Sequence, residues 1–191
     1  MLTACEVVEG SEDARNVEHL LTAAFPAYEL VPYSFLTEQA RRDEVSLLAY
    51  HEGGQFCGFV FMIEGTDMAY VLYLAVDERV RSKGYGARIL ADVSERCAGK
   101  TLMLDIEPLD EAAPNLEQRK RRRDFYLRNG FEPTGYTVCF EDDVYEALCK
   151  GPGFDPERFC SLINELPEGE DKRVLPLSSV VSPLSGKPFV S

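Results

Sequence analysis

The chain is poor in residues that build metal sites by local spacing. It has two histidines in 191 residues, and its six cysteines, Cys5, Cys57, Cys97, Cys139, Cys149 and Cys160, include no C-x-x-C pair. Neither a zinc site nor a disulfide framework is indicated, so no metal ligand is expected. The cysteines are expected to be small apolar residues, most of them buried, in a reducing compartment. Cations are also scarce: 20 Lys and Arg stand against 33 Asp and Glu, a net charge of −13. That balance argues against sequence-independent binding to nucleic acid or to anionic membranes, and leaves a cationic partner possible. No apolar run approaches the roughly 18 to 20 residues that span a bilayer. LTAC near the N-terminus looks like a lipoprotein cleavage box, but only Met1 precedes it, with no cationic or apolar segment. It is therefore expected to be the first strand of a cytoplasmic protein.

What is present suffices for one substantial core with a modest appendage. LTACEVVE reads as a strand. SEDARNVEHLLTAAF carries Val17, Leu20, Leu21, Ala24 and Phe25 at helical spacing, with Ser11 or Asp13 as cap. Pro26 and Pro32 break that helix, and SFLTEQARR offers a second short one. VSLLAYHEGGQFCGFVFMIEG reads as a hairpin around Gly53-Gly54, and MAYVLYLAV adds a third antiparallel strand. ARILADVSERCAG places Ile89, Leu90, Val93 and Cys97 on one helical face, with TLMLDIEP as the next strand, so the sheet should be mixed. Asn115 to Arg128 reads as a polar helix ended by Asn129-Gly130. FEPTGYTVCF and VYEALCKG would form a closing hairpin across Glu141-Asp142-Asp143. After Gly151 one more helix is expected, capped by Asp155 with Pro156 in its first turn, and then a weakly specified tail.

One turn stands out. VRSKGYGARIL, Val80 to Leu90, spends two glycines and several cations between a strand and a helix. A helix N-terminus presents unpaired N–H groups and the positive end of its dipole, so an anion can sit there. Gly84 and Gly86 remove Cβ atoms that would fend off a bulky phosphate, and Arg81, Lys83 and Arg88 add charge. On spacing alone, the same glycines could serve only a tight turn. Neither G-x-x-x-x-G-K-[ST] nor G-x-G-x-x-G is present.

Leu74-Ala75-Val76 followed by Arg81-x-x-Gly84-x-Gly86 resembles the acyl-CoA signature of the GNAT superfamily of N-acetyltransferases. Phe125-Tyr126-Leu127-Arg128-Asn129-Gly130-Phe131 resembles that family's F-Y-x-x-x-G-F segment. The resemblance covers roughly residues 2–151. It implies an α/β fold of the α+β type, with a mixed, mostly antiparallel central sheet flanked by helices. The domain would span 1–151, leaving 152–191 as a C-terminal helix and tail, docked or partly mobile. It implies acetyl-CoA as cofactor, its pantetheine arm bonded by the backbone of Leu74, Ala75 and Val76. The pyrophosphate would lie on the loop that runs through Arg81, Ser82, Lys83, Gly84, Tyr85, Gly86 and Ala87.

The resemblance also assigns chemistry. A neutral primary amine would attack the acetyl carbonyl directly, and Tyr126 would act as general acid toward the departing thiolate. Many members carry a Glu on the fourth strand as base, but Leu72 stands there. Glu107 is the substitute candidate, and Asp105, on the same strand face, is its competitor. Where members often hold an Asn to contact pantetheine, this chain has Arg119; it could instead meet the adenosine phosphate or belong, with Lys120 to Arg123, to a solvated face balanced by Glu117 and Asp124. Tyr28, Glu29, Tyr33 and Phe35 are the expected acceptor-side residues. The acceptor would be an amine-bearing small molecule or a protein amine, and the chain a monomer or homodimer. The competing expectation is a catalytically inactive acyl-CoA-binding sensor or interaction module of the same fold.

Overall fold

The computed structural model describes residues 1–81, 83–140, 143–167 and 172–179. The fold is mixed α/β, with mostly antiparallel sheet strands and flanking helices, as the sequence led us to expect. The chain divides into two compact units after Leu102, and each is described on its own.

The first unit begins with β1 (Leu2–Glu6) and α1 (Glu12–Ala24). Ser11 caps α1, its side chain accepting from the Ala14 N–H at 3.1 Å, which settles the choice between Ser11 and Asp13. Val17, Leu20 and Leu21 are buried, as their spacing requires. Pro26 ends the helix, and α2 (Tyr33–Gln39) follows Pro32. Then come β2 (Val45–Glu52), β3 (Gln55–Glu64) and β4 (Met68–Val76) as an antiparallel meander next to β1. Gly53 and Gly54 both have positive φ, 60° and 82°, between the paired residues Glu52 and Gln55. A two-residue hairpin loop needs that backbone to match the strand twist, and only glycine adopts it cheaply at both positions. Phe61 pairs with Tyr73 and Met62 with Val71, so Leu72 is an extra, bulged residue on β4.

Helix α3 (Tyr85–Arg96) closes this unit, with Ile89, Leu90, Val93 and Cys97 all buried along the expected face. The strand β5 (Thr101–Ile106) starts where the Thr101 N–H donates to the Asp67 carbonyl at 2.9 Å.

In the second unit α4 (Leu116–Arg128) leads through Gly130, φ 85°, into β6 (Glu132–Phe140), which is antiparallel to β7 (Asp143–Lys150). Glu141 and Asp142 of the anticipated turn lie outside the described residues. Helix α5 (Pro156–Ile163) is capped by Asp155, whose carboxylate accepts from Glu157 and Arg158 N–H, with Pro156 in the first turn as anticipated. The sequence did not reveal β8 (Arg173–Pro176), which runs antiparallel to β6. The Asn164 side chain bonds both the N–H and the C=O of Lys172, at 2.8 Å each, imitating a strand rung and anchoring the entry to β8. The order within this unit is β5-β7-β6-β8.

All six cysteines are free; Cys57, Cys97 and Cys139 are buried, Cys149 and Cys160 half-buried, and Cys5 is exposed. Among the described residues no helix is long and apolar enough to cross a membrane.

Candidate active site

The strand β4 delivers the chain to the glycine turn. Ala75 is buried, while Leu74 and Val76 are half-buried on the opposite face of the strand. Gly58 on β3 permits this packing, because a Cβ there would stand 2.3 Å from the Ala75 carbonyl oxygen. The end of β4 is then fixed by Asp77, a buried carboxylate that accepts from the Arg79 N–H at 2.9 Å and also pairs with the Arg79 guanidinium. That pairing holds the Asp77 carboxyl below its ordinary pKa.

Gly84 is the residue before α3 and takes φ +78°, the left-handed conformation that disfavours any side chain. It gives the helix no side-chain cap, whereas α1 and α5 are capped by Ser11 and Asp155. Among the described residues the first-turn N–H groups of α3, from Tyr85, Gly86 and Ala87, have no side-chain partner, and a Cβ built on Gly84 would meet nothing within 4 Å. The site is open, positive by its dipole and flanked by exposed Arg81 and Lys83, a combination that fits a phosphate-bearing group. Ser82 lies outside the described residues.

Two side chains in this stretch face elsewhere. The Tyr85 hydroxyl donates to Glu52 at 2.8 Å, and Arg88 grips the same carboxylate at 2.6 and 3.0 Å while lying over the Tyr85 ring. Tyr85 thus offers the loop its main-chain N–H, and the Arg88 charge is matched inside the protein. Glu52, which sequence reasoning passed over, is the brace of the α3 N-terminus. Its carboxyl is held far below the usual range, first by Arg88 and then by Tyr85.

A second missed residue is Tyr73. Its hydroxyl accepts from the Val31 N–H at 3.2 Å and donates to the Glu29 carbonyl, and its ring meets Phe25 edge-on at 4.8 Å. The loop carrying Tyr28, Glu29 and Tyr33 is therefore tied to β4 one residue after the bulge. Tyr28 is exposed, and Tyr33 and Phe35 are partly buried.

In the second unit, Tyr126 sits on α4 with its ring between Phe125 and Phe131, centroids 5.2 and 5.6 Å away. Burial pushes its phenol up to about 12; Arg122 opposes the rise and Asp105 adds to it. Glu107 is buried, and its two oxygens accept from Arg119 at 2.9 Å and Arg122 at 3.0 Å, with the Asn115 amide at 3.3 Å. Arg119 also bonds the Asn115 oxygen and the Pro108 carbonyl. Arg123 pairs with Glu146 and Lys120 with Glu117. Arg119, Arg122 and Arg123 are thus drawn into ion pairs with Glu107 and Glu146, so Arg119 is committed to Glu107, while exposed Lys120, paired with exposed Glu117, and exposed Arg121 keep to the solvated face that was expected.

The structure resembles solved acetyltransferases. A putative acetyltransferase of the GNAT family from Bacteroides thetaiotaomicron superposes with TM-score 0.63 at 25% identity, over 79% of this chain and 86% of that one. An aminoglycoside 6'-N-acetyltransferase complexed with coenzyme A gives 0.61 at 18% identity, over 80% and 99%. A GNAT family acetyltransferase from Elizabethkingia anophelis with acetyl-CoA bound gives 0.55 at 14%, over 79% and 98%. No curated protein matches the chain. Residues 42–133 match the acetyltransferase (GNAT) domain family. That segment is similar to the GNAT acetyltransferase domain, and the fold is shared with GNAT acetyltransferases. The matched GNAT segment contains β4, the glycine turn, α3 and Tyr126.

Proposed function

We propose that this chain is a GNAT-family, acetyl-CoA-dependent N-acetyltransferase that acts on a primary amine. The observation that carries the reading is the N-terminus of α3, without a side-chain cap among the described residues and entered through left-handed Gly84 on the connection that follows β4. Acetyl-CoA would be held by the main chain of Leu74, Ala75 and Val76, and by the turn Arg81, Ser82, Lys83, Gly84, Tyr85, Gly86 and Ala87. When bound it supplies an activated acetyl thioester. The coenzyme A and acetyl-CoA complexes of structural relatives support the same assignment.

Tyr126 is the candidate general acid. A phenol pushed up to about 12 keeps its proton at Oη throughout the physiological range, as a donor to a leaving thiolate must. Glu107 is the candidate base. To take a proton from an ammonium it must first release the hydrogen bond of Arg119, Arg122 or Asn115, so these residues set its orientation. The loop held by Tyr73 carries acidic Glu29 and aromatic Tyr28 and Tyr33, a composition suited to an amine-bearing acceptor.

Two observations favour a second reading, an acyl-CoA-binding module without turnover: Leu72 occupies the strand-four position of the usual acid, and Glu107 is fully engaged. The test measures the melting temperature with acetyl-CoA, and then free thiol released on addition of a panel of primary amines. The enzyme reading expects a thermal shift and thiol release that Tyr126→Phe abolishes while keeping the shift. A shift with no thiol release from any amine would favour the module, and no shift at millimolar acetyl-CoA would remove the cofactor assignment.

A further inference from the structure

Cys5, Asp13 and His51 are far apart in sequence, yet the first unit brings them together at its N-terminal edge. Cys5 lies opposite Ala49 in the β1–β2 ladder, and Thr3 lies opposite His51. Cys5 and His51 are therefore diagonal neighbours on one face of the sheet. Asp13 reaches them from the first turn of α1, whose entry is fixed by the Ser11 cap and by the Ser11 N–H bond to Val8. The Cys5 thiol donates to Asp13 Oδ2 at 3.4 Å, and His51 Nε2 lies 2.9 Å from Asp13 Oδ1. One donor atom from each residue falls within 4.8 Å of the others.

The arrangement is not that of a nucleophilic triad, because the thiol's hydrogen bond goes to the Asp13 carboxylate, a weak base toward a thiol, and not to the imidazole. It does match a metal centre. Donor atoms sharing one tetrahedral zinc ion lie about 3.5 Å apart, and here one donor atom of each residue lies within 4.8 Å of the other two, so a small turn of the exposed Cys5 side chain would complete the spacing. His51 Nε2 is buried, and no hydrogen bond to it is formed among the described residues, although the Asp13 oxygen is near. An ion between them would satisfy both atoms at once. A thiolate and an imidazole select zinc and its neighbours over magnesium or calcium, and exposed Cys5 leaves an entry path and a fourth position for water.

We propose that Cys5, Asp13 and His51 form a binding site for a zinc-class divalent ion. On binding, the Cys5 thiol gives its proton to solvent, the sulfur, one Asp13 oxygen and His51 Nε2 each donate a lone pair, and no redox change occurs. The ion would clip β1 and the start of α1 to β2, so its effect is on stability of the N-terminal edge, independent of acetyl transfer.

Cobalt(II) is the probe. The full chain, stripped with a chelator, is titrated with Co²⁺ while near-ultraviolet thiolate-to-cobalt absorption is followed. One equivalent is expected to saturate the band; Cys5→Ser should abolish it, and Cys160→Ser should keep it. Zn²⁺ at a hundredfold excess over its Kd should raise the melting temperature by about 5 °C, and His51→Gln should remove that rise while leaving the metal-free chain folded. Absence of a thiolate band in the wild-type chain, or a band that survives Cys5→Ser, would overturn the site and leave the three residues as a hydrogen-bonded cluster.

Discussion

Arg88 on α3 clasps Glu52 at the end of β2 with both terminal guanidinium nitrogens, 2.6 and 3.0 Å from the two carboxylate oxygens. This relationship separates cations that look equivalent in VRSKGYGARIL. Arg88 braces the helix whose N-terminus the cofactor would use, while Arg81 stands exposed. Arg88→Met should therefore lower the melting temperature and weaken acetyl-CoA binding together. Arg81→Met should weaken binding alone, in a way that salt diminishes. Thermal shift and binding titrations at two ionic strengths check the contrast.

Gly58 and Gly84 should fail for different reasons. In Gly58→Ala the new methyl would meet the Ala75 carbonyl at 2.3 Å, so β3 and β4 must part; a loss of about 2 to 4 kcal/mol is expected from urea denaturation. Gly84→Ala has open space but keeps φ +78°, so about 1 kcal/mol of stability is lost, with a weakening of acetyl-CoA binding that exceeds it.

Tyr126→Phe should lower turnover by roughly 10²- to 10⁴-fold and leave the acetyl-CoA thermal shift intact. The same residue gives an alkaline signature. An unfolded tyrosine ionises near 10 and the folded one near about 12, so between those values the native state holds the extra proton. The stability it contributes is complete below about pH 10 and is lost as pH rises toward 12, at up to about 1.4 kcal/mol per pH unit. Denaturation midpoints from pH 9 to 11.5 should fall less steeply for Tyr126→Phe (the pH span is set by roughly these ionisation values).

Tyr73→Phe removes the hydroxyl that holds both Val31 and Glu29. It should cost about 1 to 2 kcal/mol and raise the KM for the amine acceptor while sparing that for acetyl-CoA. An equal effect on both constants would assign Tyr73 to the strand alone.

Local grammar made much of this molecule readable in sequence. The Gly53-Gly54 hairpin, the Ser11 and Asp155 caps and the buried face of α3 each follow from rules that span a few residues. Gly84 was readable for the same reason. Long-range partners were not. Nothing in the basic run of α4 says that Arg119 and Arg122 converge on Glu107, or that Arg88 reaches back to Glu52. Cys5 and His51 meet only because β1 adds to β2 in one register. The short strand β8 has too few residues to show a period, and it is specified by β6 and by the Asn164 clamp on Lys172.

That clamp has a consequence for the surface of the protein. β6 lies between β7 and β8, and β8 covers hydrogen-bonding groups of its backbone from Tyr136 to Cys139. A chain cut after Lys150 would uncover them as a row of unpaired donors and acceptors, an invitation to self-association. By covering that edge, β8 would guard the protein against aggregation.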